Sequence, residues 1–195
     1  MFSIVNVYFM LLLLNDNLLS FNIEKALPFL SLQRCQKIAL LANEDDKRES
    51  AAVYMLLREA LKNRYGIVDA PVFEYGAYGK PSLQGREDIN FSMSHCRRAV
   101  VCAVADFPIG VDVECVRSYN ERLAQYTMND REFASIKASS SPDIEFVRLW
   151  TMKEAVAKLS GRGINNIKNL LVEFSGTVRC VEVPDKGYIY SVAHM

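Results

Sequence analysis

Apolar positions along the chain fall into short blocks that switch between strand and helix periods. Ile4 to Leu14 (IVNVYFMLLLL) is mostly apolar and is closed by Asn15-Asp16-Asn17, which predicts a first buried strand running into a loop or helix. Ser31 is placed to cap a short helical stretch. From Asp46 to Asn63, Ala52, Met55, Leu56 and Leu61 form much of one apolar face, predicting a longer helix. Tyr65 to Gln84 carries five Gly and Pro residues and reads as loops around one strand, Val72–Tyr75. Three strands are predicted next, at Ile89–Met93, Ala99–Ala105 and Ile109–Cys115. Helices follow at Ser118–Tyr126, Asp130–Ala138 and Asp143–Leu159, the last bracketed by Ser141-Pro142 and Gly161. Strands return at Leu170–Phe174, Thr177–Val183 and Tyr188–Ala193. Helices and strands segregate instead of alternating, so the predicted class is α+β with antiparallel sheet.

A length of 195 residues suits one ordinary domain or two small packed halves. Half of the chain is hydrophobic, enough for a real core. Lys+Arg and Asp+Glu balance at 23 each, which removes any global reason to expect a nucleic-acid or membrane partner. Phosphate chemistry must therefore come from local clusters. The N-terminal apolar block ends after eleven residues, against about 20 for a membrane span. It also lacks the basic start and small-residue cleavage site of a signal peptide, so a cytoplasmic protein is expected. Five cysteines at irregular spacing, no CxxC and only two histidines argue against a zinc site and for reduced thiols.

Three pieces carry possible chemistry. In Ile109-Gly-Val-Asp-Val-Glu-Cys the side chains of Asp112 and Glu114 share one strand face, while Ile109, Val111 and Val113 point the other way. Two such carboxylates can serve one hard cation, and they can equally be a solvated acidic face. In Leu149-Trp-Thr-Met-Lys-Glu-Ala-Val-Ala-Lys, Glu154 and Lys158 are four apart on a helix, one turn from Trp150. Glu then Lys at that spacing is also a common surface pair, and a tryptophan is also a core anchor. The third piece is scattered: Gly79-Lys80-Pro81, then Ser92-Met-Ser94-His95 with Arg97 and Arg98, and Arg34 and Lys37 on one helical face. Together they place a candidate metal site beside a basic group, with basic loops upstream for further phosphates.

These pieces, in this order, resemble the signature of the 4′-phosphopantetheinyl transferases. The match lies in Ile109-Gly-Val-Asp112-Val-Glu114 and Trp150-Thr-Met-Lys153-Glu154-Ala-Val-Ala-Lys158, with Asp112 and Glu154 42 residues apart. Gly79-Lys80-Pro81 and Ser94-His95 are similar to the two upstream motifs of the larger, surfactin-synthetase-activating type. The match extends back through Ser31–Arg58, bringing Arg34, Lys37 and Ser50 onto positions that contact coenzyme A in that family. Two departures stand out: Ser92 where Asn is common, and Cys115 where Lys is common.

The resemblance implies two similar α+β halves, residues 1–106 and 107–195, packed as a pseudo-dimer with the active site in the cleft between them. It implies transfer of the phosphopantetheine arm of coenzyme A to a serine of an apo acyl or peptidyl carrier protein, releasing 3′,5′-ADP. Asp112, Glu114 and Glu154 would hold Mg²⁺ (or Mn²⁺), and Arg34, Lys37, Ser50, Lys80, Ser94 and His95 would line coenzyme A. Glu154 would activate the serine and Lys158 would stabilise the leaving phosphate. A pseudo-dimer favours a monomer in solution. Tyr119, Leu123, Tyr126 and Met128 are either contacts for a carrier helix or the core of a small helix. A non-catalytic carrier-binding relative and a metal-dependent nucleotide phosphohydrolase are the competing classes. The complete carboxylate–lysine set speaks against the first, and the ordered upstream motifs against the second.

Overall fold

The computed structural model describes residues 3–7 (backbone alone), 10–163 and 166–195. In chain order the elements are strands β1 (Ser3–Val7) and β2 (Met10–Asn15), and helices α1 (Ile23–Ala26), α2 (Leu32–Ala39) and α3 (Glu44–Tyr65). Strands β3 (Phe73–Tyr75), β4 (Pro81–Leu83), β5 (Asn90–His95), β6 (Val100–Ala105) and β7 (Ile109–Cys115) follow. The chain then forms α4 (Glu121–Thr127), α5 (Asp130–Ala138), α6 (Pro142–Ser160), α7 (Leu170–Glu173), β8 (Thr177–Val183) and β9 (Tyr188–His194). Among the described residues every strand pairing is antiparallel, in sheets ordered β1-β2-β6-β5, β3-β4 and β7-β9-β8. This is the expected α+β class.

Strand β6 explains the layering. All six of its residues are buried, because both of its faces are covered. Val100, Cys102 and Val104, with Leu11 and Leu13 of β2, pack against Ala52, Leu56, Leu57 and Leu61 of α3. Val101, Ala103 and Ala105, with Leu12 and Leu14, face Ile109, Val111 and Val113 of β7 and Tyr188 and Val192 of β9. The far face of the second sheet is covered by α6, through Ala155, Val156 and Leu159 against Ala193. The order is therefore helix, sheet, sheet, helix, and the two long helices lie on the outside.

Local sequence fixes the ends of those helices. Asn43 caps α3 by accepting from the Asp45 N–H at 2.8 Å, and Glu44, Asp45 and Asp46 complement the positive end of the helix dipole. Gly66, at φ 69°, closes it in the left-handed conformation that glycine adopts without strain. Proline opens α6 and Gly161 closes it in the same way.

Two expectations are corrected. The block Ile4–Leu14, which includes Tyr8 and Phe9 outside the described residues, is not one strand. Its two parts pair with each other, Ser3 opposite Leu14 and Val7 opposite Met10. Nothing in a mostly apolar run marks a reversal, because both strands of the pair draw on the same residue types. Leu170–Phe174 was expected as a strand and forms the short helix α7, ending at Glu173. Leu170 and Phe174, four apart, both pack on the α6 cluster, a helical spacing too brief to register as a period. Strand β4 was not anticipated. Among the described residues no helix is long and apolar enough to cross a membrane.

Candidate active site

Gly110 determines how closely β7 and α6 approach. A Cβ placed on it would lie 2.0 Å from the Ala155 carbonyl oxygen and 2.5 Å from the Leu159 nitrogen, so the helix backbone rests directly on this residue. With α6 seated there, residues on its inner face meet the face of β7 opposite to Val111 and Val113. The sequence signal was present, a glycine inside a strand, which often marks close backbone approach.

Asp112, 3% exposed, is the centre of the resulting cluster. Lys158 Nζ donates to Asp112 Oδ1 at 2.5 Å and to Ser94 Oγ at 2.9 Å. Ser94 in turn donates to Asp112 Oδ1 at 2.8 Å. A three-membered network thus ties β5, β7 and α6 together. Ser92 adds a second tie, its hydroxyl accepting from the Val111 N–H at 3.0 Å. Glu114 and Glu154 complete the acidic side. Burial raises the pKa of both, and the charge of Asp112 raises each further, against the pull of Lys158. Trp150 stacks on Phe146 with ring centroids 6.5 Å apart.

Among the described residues no three His, Cys, Asp or Glu side chains are gathered closely enough to cage a metal ion as they stand. At Asp112 the Lys158 ammonium takes one carboxylate oxygen. The donor set nevertheless fits a hard cation. Among the described residues Asp112 Oδ2 is buried with no hydrogen-bond partner, and the neighbouring carboxyls are pushed toward their neutral forms by burial and by the Asp112 charge.

A cleft leads away from this cluster. One cavity of about 260 Å³ is lined by Tyr78–Pro81 and Phe91–Met93 on one wall and by Glu154, Ala157, Lys158, Gly161 and Gly163 on the other. A second, of about 430 Å³, shares Gly79, Pro81 and Met93 with it and reaches Arg34, Lys37, Ser50 and His95. The sequence-predicted basic residues therefore do gather at one end of a continuous groove. Arg34 is 6% exposed, donates to Ser50 Oγ at 3.1 Å and lies over the rings of Tyr54 and Phe73. Burial lowers the pKa of Arg34 and of Lys37, and for Lys37 the Arg34 charge lowers it further. Among the described residues neither cation forms a salt bridge, and two neighbouring cations of this kind are suited to an anionic group.

Other sequence candidates have partners of their own. His95 Nδ1 is 2.9 Å from Glu49 Oε2, and Arg97 bridges Glu49 and Asp46, each at 2.7 Å. Glu49 is buried, and its role in orienting His95 was invisible in the sequence because the two are 46 residues apart. Arg98 donates to the Lys186 carbonyl. Lys80 donates to the Leu159 carbonyl at 2.9 Å. Lys153, next to Glu154, turns the other way: it is fully buried, paired with Glu132 at 2.7 Å and bonded to three carbonyls. Of the four residues considered for a carrier helix, Met128 is core and Tyr119 packs on Phe146, whereas Leu123 and Tyr126 are exposed.

Fold and cleft together define an α+β protein with an acidic cluster at one end of a groove and a cationic pocket at the other, a layout suited to a polyphosphate ligand. Residues 108–186 match the family model of the 4′-phosphopantetheinyl transferase superfamily. It is 30% identical over 146 residues to a 4′-phosphopantetheinyl transferase of Bacillus subtilis, an alignment covering 73% of this chain and 65% of that protein. The 4′-phosphopantetheinyl transferase Sfp of Bacillus subtilis strain 168 is 26% identical, with the same coverage of each chain. The 4′-phosphopantetheinyl transferase gsp of Aneurinibacillus migulanus is 30% identical over 76% of this chain and 60% of its own length. The match thus spans slightly less than two thirds of these relatives.

Proposed function

We propose that this protein transfers the 4′-phosphopantetheine group of coenzyme A to a serine of an apo acyl or peptidyl carrier protein, releasing 3′,5′-ADP. The observation that carries this reading is the Asp112–Ser94–Lys158 network, flanked by Glu114 and Glu154, at the head of a cleft that ends in Arg34 and Lys37. Carboxylates at one end of the groove suit a pyrophosphate and its cation, and Arg34 and Lys37 at the other end suit a further phosphate. We read residues 1–106 and 107–195 as two similar halves of a pseudo-dimer, acting as a monomer in the cytoplasm. In support, α3 covers the first sheet as α6 covers the second.

Asp112, Glu114 and Glu154 would hold Mg²⁺ (or Mn²⁺), which when bound neutralises the pyrophosphate. The residues of the chain do the rest. The carrier serine oxygen forms a bond to the phosphorus bearing the pantetheine arm, and the bond from that phosphorus to the 3′,5′-ADP oxygen breaks. Glu154 takes the serine proton as general base. Lys158 donates to the departing phosphate oxygen, leaving Asp112 to do so. Arg34, Lys37, Ser50 and His95 bind the nucleotide end, Ser94 holds the network at the pyrophosphate end, and Lys80 borders the cavity beside Glu154 and Lys158. The test is chromatographic detection of 3′,5′-ADP from coenzyme A. It should form in step with carrier modification and stay at background when the carrier is omitted. Formation without carrier would make the protein a hydrolase.

A further inference from the structure

Lys80 sits in the tight turn that joins β3 to β4. Gly76 donates to the Lys80 carbonyl at 3.0 Å, and Gly79, at φ 79°, donates to the Gly76 carbonyl at 2.9 Å. The turn belongs to the part of the chain that precedes β7, yet its side chain ends on α6. Lys80 Nζ donates to the carbonyl of Leu159, one of the last four of that helix, which have no partner within it. The ammonium also lies at the negative end of the α6 dipole. Its stem runs over Gly161, where an added Cβ would come within 2.9 Å of Lys80 Cδ. Among the described residues no carboxylate pairs with Lys80, and burial alone lowers its pKa. Lys80 and Gly161 both line the cavity next to Glu154 and Lys158.

We infer that Lys80 is a strut across the cleft, a positioning residue that sets the spacing between the β3–β4 turn and the C-terminal end of α6. The helix it braces carries Glu154 and Lys158, so the strut fixes the wall on which the reacting phosphate must lie. Lys80 acts in this way through α6, not through a phosphate contact of its own. The inference about catalysis rests on the proposed transferase reading, whereas the brace itself is a property of the free protein.

The experiment uses the whole chain with Lys80→Met, which keeps the stem over Gly161 and removes the ammonium, and Lys80→Arg, which can still reach a carbonyl. Hydrogen exchange is followed in the ligand-free proteins, and steady-state transfer is measured with coenzyme A and with dephospho-coenzyme A. Lys80→Met should exchange at least about fivefold faster than the parent at residues 76–81 and 159–163. Its kcat/KM should fall about tenfold for both substrates alike, with Lys80→Arg recovering most of both effects. Unchanged exchange, together with a loss confined to coenzyme A, would make Lys80 a direct ligand of the 3′-phosphate and overturn the strut. Faster exchange with unchanged kcat/KM would leave a brace with no positioning role, which also overturns it. If the parent protein transfers nothing, the exchange data still decide on the brace while the transferase reading falls by itself.

Discussion

Lys158 Nζ on α6 lies 2.5 Å from Asp112 Oδ1 on β7, and this contact joins the outer helix to the second sheet beside Glu114 and Glu154. The ammonium is the positive charge at the centre of three carboxylates, and only one oxygen of Asp112 is satisfied by it and by Ser94. In the free protein Lys158 therefore supplies part of what the proposed divalent cation would supply.

Removing that charge should be costly. Lys158→Met leaves Asp112 buried beside two other carboxyls, a loss of about 1–3 kcal/mol. For a chain of this size that lowers the melting temperature by several degrees, at roughly 2–4 °C per kcal/mol. Millimolar Mg²⁺ should recover more of the melting temperature in Lys158→Met than it adds to the parent. Thermal scans with and without Mg²⁺ check this, and an Mg²⁺ response no larger than that of the parent would count against a cation at Asp112.

Gly110→Ala should be among the most damaging single changes in the chain. The new methyl would collide with helix backbone at the Ala155 carbonyl, and backbone cannot swing away as a side chain can. Overpacking of this kind costs about 1–3 kcal/mol or more. The urea midpoint should fall, and any folded fraction should show weaker activity because Glu154 and Lys158 shift with α6. A midpoint equal to that of the parent would mean that β7 and α6 are not so closely packed.

Lys37→Met addresses the other end of the cleft. Lys37 stands near the buried Arg34 with its pKa lowered, so its removal should not reduce stability. Affinity for coenzyme A should weaken about tenfold, with a shallower dependence on salt, because one fewer cation faces the phosphate. Affinity for dephospho-coenzyme A should change less. Calorimetric titration at two ionic strengths measures both quantities.

Asp16 links the layers at a distance from the cleft. Burial works to raise its pKa, but the Lys186 ammonium at 2.7 Å and the Tyr188 hydroxyl at 2.8 Å outweigh it and hold the carboxyl below its ordinary 3.8. A carboxyl depressed in the folded state stabilises fully above its unfolded pKa and loses that contribution as pH falls through the folded value. Asp16→Asn should therefore melt below the parent at pH 6, and the gap should close on titration toward pH 3. A gap that stays constant with pH would place the effect in packing instead of charge.

Strand and helix periods were sufficient to put Asp112 with Glu114, and Glu154 with Lys158, on common faces before any coordinates. They were sufficient too for β6, β7 and α3, whose apolar patterns are long or doubly buried. What they could not convey was pairing over distance. Glu49 matters because His95 and Arg97 come to it from β5 and the turn after it. Lys153 is spent on Glu132 and on carbonyls of distant loops, although the sequence presents it as a neighbour of Glu154. Gly110 is the intermediate case: a glycine inside a strand is a signal that could have been read as a close approach, but it does not say to what. The β1–β2 pairing and α7 were missed for a simpler reason: apolar runs of that length carry no period that separates strand from turn or helix.

The central claim is tested most directly by intact-mass spectrometry of an apo carrier protein incubated with this protein, coenzyme A and Mg²⁺. The panel includes fatty-acid and peptide-type carriers, with EDTA and Asp112→Ala as controls. The account predicts a gain of one phosphopantetheine group on at least one carrier, abolished by both controls. No gain on any carrier while coenzyme A binds tightly would contradict it and leave a coenzyme A-binding protein without transferase activity.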